Sequence, residues 1–230
     1  MPATLLVELL TEELPPKSLR DLSAAFAREL AAALERQGLL DSSTVHPYGT
    51  PRRLAVRITS VRERSPDTER DVVGPPVTAP AQAVAGFARK HGLAVEDLQR
   101  ASSPKGEVHV GRVKSSGVAL HAVLPSCVME AIKALPIPKL MRWGDGEAEF
   151  VRPVHGVVLL HGAREIPGTV LGVSACGTTR GHRFLGTRSI GLAHADEYED
   201  RLLESGCVVA DFARRRDEIE RLLVFNSIKF

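Results

Sequence analysis

Arg180, His182 and Arg183 crowd around Gly181 in the run TTRGHRF, and upstream Lys139, Arg142 and Trp143 flank the glycines of PKLMRWGDG. Guanidinium forks match phosphate oxygens, and an aromatic beside a cation suits a planar or phosphate-bearing partner. A third cluster, Arg52 and Arg53, follows Gly49-Thr50-Pro51. It opens a stretch that also holds Arg57, Arg62 and Arg64 against Glu63 alone. Such a patch can meet phosphate, and equally it can be a solvated basic surface.

Each candidate has a structural alternative. Trp143 is the single tryptophan; it can stack on a base or cover the edge of a core. His182 could move a proton, but no nucleophile or acidic partner stands beside it, which favours a hydrogen-bonding structural role. Arg180 and Arg183 can hold phosphate or pair with Asp145, Glu147 or Glu149. Glu12 and Glu13 precede a helix, where negative charge is favourable without any catalytic duty. No phosphate loop, nucleophile elbow or adjacent His-Asp dyad occurs. Cys127, Cys176 and Cys207 are widely spaced and lack a zinc-ligand spacing, which suits thiols in a reducing compartment.

The elements that must position these residues read as α+β, with mixed or antiparallel sheets and roughly five or six packed helices. Residues 4–10 form a buried strand containing Glu8. Leu19, Leu22, Phe26, Leu30 and Leu34 then repeat at helical spacing until Gly38. Residues 53–61 alternate as a half-buried strand, with Leu54, Val56 and Ile58 inward and Arg53 and Arg57 on the other face. The proline-rich stretch 65–80 reads as a linker or exposed loop. Helix resumes over 81–91, a short helix is expected over 95–100 and a strand over 106–113. A helical stripe from Leu120 to Leu135 carries Pro125, which implies a kink or a later start. MRWGDG is a turn, followed by strands in AEFV, GVVLLHG, EIPGTVLGV and SIGLA. A short helix around Tyr198 ends at Gly206, and Asp211 caps a final helix. Its Phe212, Ile219, Leu222 and Leu223 should face inward, and Arg214, Arg215 and Arg216 outward. The implied division is 1–64, the linker 65–80, an α+β unit 81–223, and an atypical tail 224–230.

Composition adds bounds. With 43% apolar and 25% charged residues the chain can bury a sizeable core. A net charge of +2 does not by itself imply nucleic-acid binding, so the local arginine clusters carry that reading. No apolar run is long enough to span a bilayer and Glu8, Glu12 and Glu13 interrupt any signal-like core, so a cytoplasmic protein is expected.

The order of the segments is more specific than their chemistry. VELLTEELPPKSL, GTPRRLAV, LPIPKLMRWGDG, EFVRPV and TTRGHRF together resemble the beta subunit of the bacterial tetrameric glycyl-tRNA synthetase, from about residue 4 to 223. That subunit is about three times longer, so the resemblance implies its N-terminal portion. It further implies an alpha-subunit partner, tRNA(Gly) and an alpha2-beta2 assembly. Glycine activation with ATP and Mg would fall to the alpha subunit, leaving no catalytic residue and no cofactor in this chain. The tRNA-binding candidates are then Arg52, Arg53, Lys139, Arg142, Trp143, Arg180, His182 and Arg183. The cationic ones should lie exposed on one connected surface. The segment order is also similar to that of the B3/B4 domain of the phenylalanyl-tRNA synthetase beta subunit, an α+β fold that hosts editing there, which implies one alternative, a hydrolase of mischarged tRNA; a docking module that touches no RNA is another. Two departures stand out: His155-Gly156 replaces the family's Arg-Trp after RPV, and the last seven residues, VFNSIKF, do not follow its pattern.

Overall fold

The computed structural model describes residues 1–103, 106–137, 139–144 and 146–227. It divides into two compact units, residues 1–65 with 119–230, and residues 66–118.

The larger unit is built on an antiparallel sheet. Strand β1 (Ala3–Thr11) leads into a turn and a short 3₁₀ segment (Pro16–Ser18), then helix α1 (Leu19–Arg36). Strands β2 (Val45–Thr50) and β3 (Arg53–Val61) form a hairpin, and β3 pairs back onto β1 with Glu8 opposite Ala55.

The smaller unit follows. Strand β4 (Thr68–Pro76) precedes helix α2 (Ala81–His91), a 3₁₀ turn (Val95–Asp97), and strands β5 (Gln99–Ser103) and β6 (Gly106–Ser115). These strands form an antiparallel sheet in the order β4-β6-β5, and α2 buries Val84 and Ala88. The stretch expected to be a linker is therefore largely a strand. The reason is positional. β4 is an edge strand and its register slips between Val73 and Pro76, so Pro75 and Pro76 fall where no ladder donor is required. The expected helix at 95–100 is only the 3₁₀ turn, and Gln99 onward is strand.

Helix α3 (Leu120–Lys133) returns the chain to the larger unit. It starts ahead of Pro125, which therefore lies inside the helix and does not delay it. A small hairpin of β7 (Met141–Arg142) and β8 (Glu149–Phe150) comes next; Asp145 lies outside the described residues. Strand β9 (Val154–His161) then pairs with β1 on the side opposite β3, and β10 (Arg164–Glu165) closes the edge. The sheet order is β10-β9-β1-β3-β2. Two-residue strands follow: β11 (Thr169–Val170) with β12 (Val173–Ser174), and β13 (Thr178–Thr179) with β14 (Ile190–Gly191). A 3₁₀ turn (Ala195–Glu197), helix α4 (Tyr198–Glu204) and helix α5 (Phe212–Ser227) complete the chain.

This sheet is covered on both faces. Leu5, Val7 and Leu9 of β1 with Leu54, Val56 and Ile58 of β3 meet α1 and α3, through Leu22, Phe26, Leu30, Leu124, Val128 and Ile132. Successive strand residues point to opposite faces, so Leu6, Ala55, Val158 and Leu160 turn the other way. There they pack under Tyr48, Ile190, Leu192, Tyr198 and Leu202. Burying each large apolar side chain contributes about 1.5–3 kcal/mol, which is what holds the 190–210 segment over the second face.

Helix α5 departs from expectation. Asp211 caps it, its Oδ1 accepting the Arg214 amide at 2.6 Å, and Phe212 packs partly against the core. Ile219, Leu222, Leu223 and Val224 are exposed, however, whereas Arg215 is half-buried. The Arg215 guanidinium donates to the carbonyls of Gly49 and Val209, both at 2.7 Å. Those carbonyl acceptors at the end of β2 and before the helix draw the arginine inward. Residues 228–230 of the unusual tail lie outside the described residues.

Candidate nucleic-acid interface

The loop after β13 carries the TTRGHRF arginines, and its shape is fixed by three glycines. A Cβ on Gly181 would lie 2.6 Å from Gly206 Cα, and one on Gly186 would lie 2.0 Å from the Gly206 carbonyl oxygen. Any side chain there would push the two backbones apart. Four backbone hydrogen bonds tie the crossing: Gly181 to Thr187 O (2.9 Å), Gly186 to His182 O (3.0 Å), His182 to Gly206 O (2.6 Å) and Thr187 to Ser205 O (2.9 Å). His182 serves the same turn. Its Nδ1 accepts the amides of Phe184 (3.3 Å) and Leu185 (3.2 Å), so the ring shapes the loop as a side-chain turn acceptor.

This loop faces the start of β3 across a cleft of about 650 Å³. Arg52, Arg53, His155, Arg180, Arg183 and Arg188 are among its lining residues, together with Thr178, Thr179 and His182. The two arginine-bearing turns thus converge although they are far apart in sequence. Arg52 is partly committed to Glu12, at 2.8 Å. Among the described residues, Arg180, Arg183 and Arg188 have no carboxylate partner, so no described carboxylate neutralises their charge. The Arg183 guanidinium lies 5.6 Å from the centre of the Phe184 ring. Arg180 is oriented by His155, whose Nε2 donates to the Thr11 carbonyl (3.1 Å) and whose Nδ1 accepts from Arg180 Nη1 (3.4 Å). The alternative pairing with Asp145 falls outside the described residues, and Glu147 and Glu149 do not pair with either loop arginine.

Arg53 does not behave as a surface cation. It is 3% exposed and forms a buried ion pair, Nη1 donating to Glu8 Oε1 at 3.1 Å, with Glu8 fully buried. The Tyr198 hydroxyl donates to the same oxygen at 2.6 Å. Burial, reinforced by the Glu8 charge, pushes the Tyr198 phenol well above its ordinary range, so it stays a neutral donor. On Arg53 burial works against the charge, but Glu8 and Tyr198 together outweigh it and the guanidinium is held still more firmly protonated. Its Nη2 donates to the carbonyl of Arg180, so Arg53 fastens the cleft loop from beneath. The expectation that it lies exposed fails because the face of β3 that carries it is covered.

The remaining candidates belong elsewhere. Lys139 and Arg142 are exposed, and Arg142 Nε donates to the Gly146 carbonyl at 2.8 Å. Trp143 is half-buried against the core and borders a separate cavity of about 890 Å³ with Met129, Ile132, Leu135 and Leu171. This is the core-edge arrangement. Neither Lys139 nor Arg142 lines the cleft of Arg180 and Arg183. Arg152 lines a shallow pocket with Arg52 and Arg183, and its Nη1 reaches Met141 Sδ, next to Arg142, at 3.2 Å.

Arg188, Arg152 and His155 were not singled out as site residues from sequence. Arg188 follows Gly186 at the point where the loop closes on Thr187, and that return could have flagged it. His155 had drawn notice only as a departure from a family pattern. Among the described residues, no helix is long and apolar enough to cross a membrane, and no group of three His, Cys, Asp or Glu side chains could hold a metal ion.

Comparison with known proteins agrees with the segment order. The family model described as "Glycyl-tRNA synthetase beta subunit" matches residues 5–225. Curated relatives include the glycine–tRNA ligase beta subunits of Edwardsiella ictaluri, 42% identical over 225 residues, and Chromohalobacter salexigens, 45% identical over 221 residues. That of Escherichia coli is 42% identical over 220 residues. The matches cover 93–95% of this chain but 32% of each relative, so the chain spans about one third of the length of the proteins it matches. With nearly every residue from the first strand to the last helix inside that match, the chain belongs to the glycyl-tRNA synthetase beta-subunit family.

Proposed function

We propose that this chain is the N-terminal portion of a glycine–tRNA ligase beta subunit, and that it contributes tRNA contacts to the ATP-dependent charging of tRNA(Gly). Its partner is the alpha subunit in an alpha2-beta2 assembly in the cytoplasm. Glycine activation, with its ATP and Mg, belongs to the alpha subunit. The observation that carries the RNA role is the cleft itself, where Arg180, Arg183 and Arg188 converge with no carboxylate among the described residues to neutralise them. Arginines held this way suit phosphate oxygens, and they release counterions when phosphate arrives.

The test is the salt dependence of tRNA binding. Replacing Arg180 and Arg183 with Gln removes two cations without touching the buried sheet. Binding should weaken, and the slope of log affinity against log salt should fall by about 0.7–0.9 per lost phosphate contact. The melting temperature should hold, since both side chains are exposed. An unchanged slope with a lowered melting temperature would assign these arginines to the fold instead.

A further inference from the structure

Phe184 and Leu185, at the tip of the cleft loop, are 82% and 75% exposed. Among the aromatic side chains the structure describes, Phe184 alone is exposed; Trp143, Phe87 and Phe212 are half-covered, and Tyr48, Tyr198, Phe26 and Phe150 are buried. Exposing a phenyl ring forgoes favourable burial, and this one sits in a loop whose glycine crossing and hydrogen bonds leave it little freedom. Its ring centre lies 6.2 Å from that of His182, and the Arg183 guanidinium lies over its face. Both neighbours line the cleft, so the ring stands at the cleft's rim.

Beneath the rim, the floor of the cleft is polar and buried, while Arg180, Arg183 and Arg188 stand exposed around it. Arg53 and Thr179 are both at least nine-tenths buried, and Arg53 Nε and Thr179 Oγ1 have no hydrogen-bond partner among the described residues. In a duplex every base is paired and stacked on its neighbours, so none is free to lie on an exposed aromatic ring. A concave site of about 650 Å³ falls within the range of small-ligand pockets and has room for about one nucleotide with its phosphates. An unpaired strand can turn one nucleotide into such a site and lay a base on an aromatic ring. Arginine and aromatics also mark protein interfaces, but the arginines around this ring have no carboxylate partner among the described residues and call for an anionic partner, which RNA is along its whole backbone.

We propose that the cleft takes a nucleotide from an unpaired stretch of RNA, its phosphates on Arg180, Arg183 and Arg188 and its base stacked on Phe184. This deepens the tRNA-binding reading and rests on it.

The experiment titrates the 230-residue chain with a labelled single-stranded RNA 12-mer, with the blunt duplex of the same sequence, and with tRNA, each over a salt series. The single strand should bind at least tenfold more tightly than the duplex. Phe184→Ala should weaken single-strand binding roughly 5- to 150-fold, the range for one stacked base, with the salt slope unchanged. Phe184→Trp, which keeps a stacking face, should restore it. Arg180→Gln with Arg188→Gln should instead lower the single-strand slope by about 1.4. Equal or tighter duplex binding, or indifference to Phe184→Ala, overturns the cleft proposal. If tRNA still binds in that case, the broader tRNA reading survives alone. Failure to bind any of the three RNAs overturns both.

Discussion

Glu8 and Arg53 form a buried ion pair beneath the cleft, and the two partners should respond unequally to mutation. Glu8→Gln keeps the shape of the side chain and an oxygen that can accept the Tyr198 hydroxyl, but it removes the negative charge. Arg53 is 3% exposed and cannot shed its proton, so its charge is left without compensation in the interior. Breaking a buried pair from one side costs about 3–5 kcal/mol. For a unit of this size each kcal/mol lowers the melting temperature by about 2–4 °C, so Glu8→Gln should lose about 6–20 °C. Arg53→Met should cost less, because the stranded Glu8 can take up a proton. The double variant, Glu8→Gln with Arg53→Met, buries no charge and should be more stable than Glu8→Gln alone. Trp143 lies in the same unit as the pair and is the chain's single tryptophan. Its fluorescence therefore reports this unfolding in urea or on heating. The reasoning is refuted if Glu8→Gln costs less than about 1 kcal/mol, or if the double variant loses as much as the two single variants added together.

Two further outcomes follow from the loop and the last helix. Gly186→Ala would place a methyl 2.0 Å from the Gly206 carbonyl oxygen and force the crossing apart. It should cost about 1–3 kcal/mol as an overpacked contact and weaken RNA binding beyond Arg183→Gln alone; urea unfolding and RNA titration of the same preparation check both. Asp211→Ala removes the cap of α5 and the partner of His46, 2.9 Å away. The loss should be about 1 kcal/mol, read from the urea midpoint, with RNA binding unaffected.

The elements whose signals are local were legible in the sequence. Leu22, Phe26, Leu30 and Leu34 recur at helical spacing and are all buried in α1, and the helix at 81–91 ends at Gly92 with φ +66°. Misreadings arose where the deciding contact is distant. Prolines in 65–80 argue against a central strand, but they do not exclude an edge strand, and only the pairing of β4 with β6 shows that β4 is one. The stripe of Ile219, Leu222 and Leu223 has a helical period, and the period says nothing about what lies opposite. Arg215 turns inward because carbonyl oxygens of Gly49 and Val209 await it, and one of these belongs to a strand more than a hundred and sixty residues away in sequence.

The candidate site divides along the same line. That arginines near 52 and near 180 could share a surface was readable from their types, because phosphate chemistry needs guanidinium groups and tight turns to present them. Which arginine meets the ligand and which holds the turn was not readable. Alternation along β3 sends Arg53 and Ala55 to one face and Leu54 and Val56 to the other, and nothing within those residues says that the first face is also covered. The cover comes from Tyr198, Leu202 and their neighbours, and it turns Arg53 from a surface cation into the partner of Glu8. Once buried, it can satisfy its remaining donors only on nearby acceptors, and the Arg180 carbonyl is one of them. The inner arginine therefore stiffens the loop on which Arg180, Arg183 and Arg188 remain without carboxylate partners among the described residues. A pair of adjacent arginines, Arg52 and Arg53, is thereby split: Arg52, in the turn before β3, stays half-exposed, and Arg53, the first residue of the strand, lies beneath the surface.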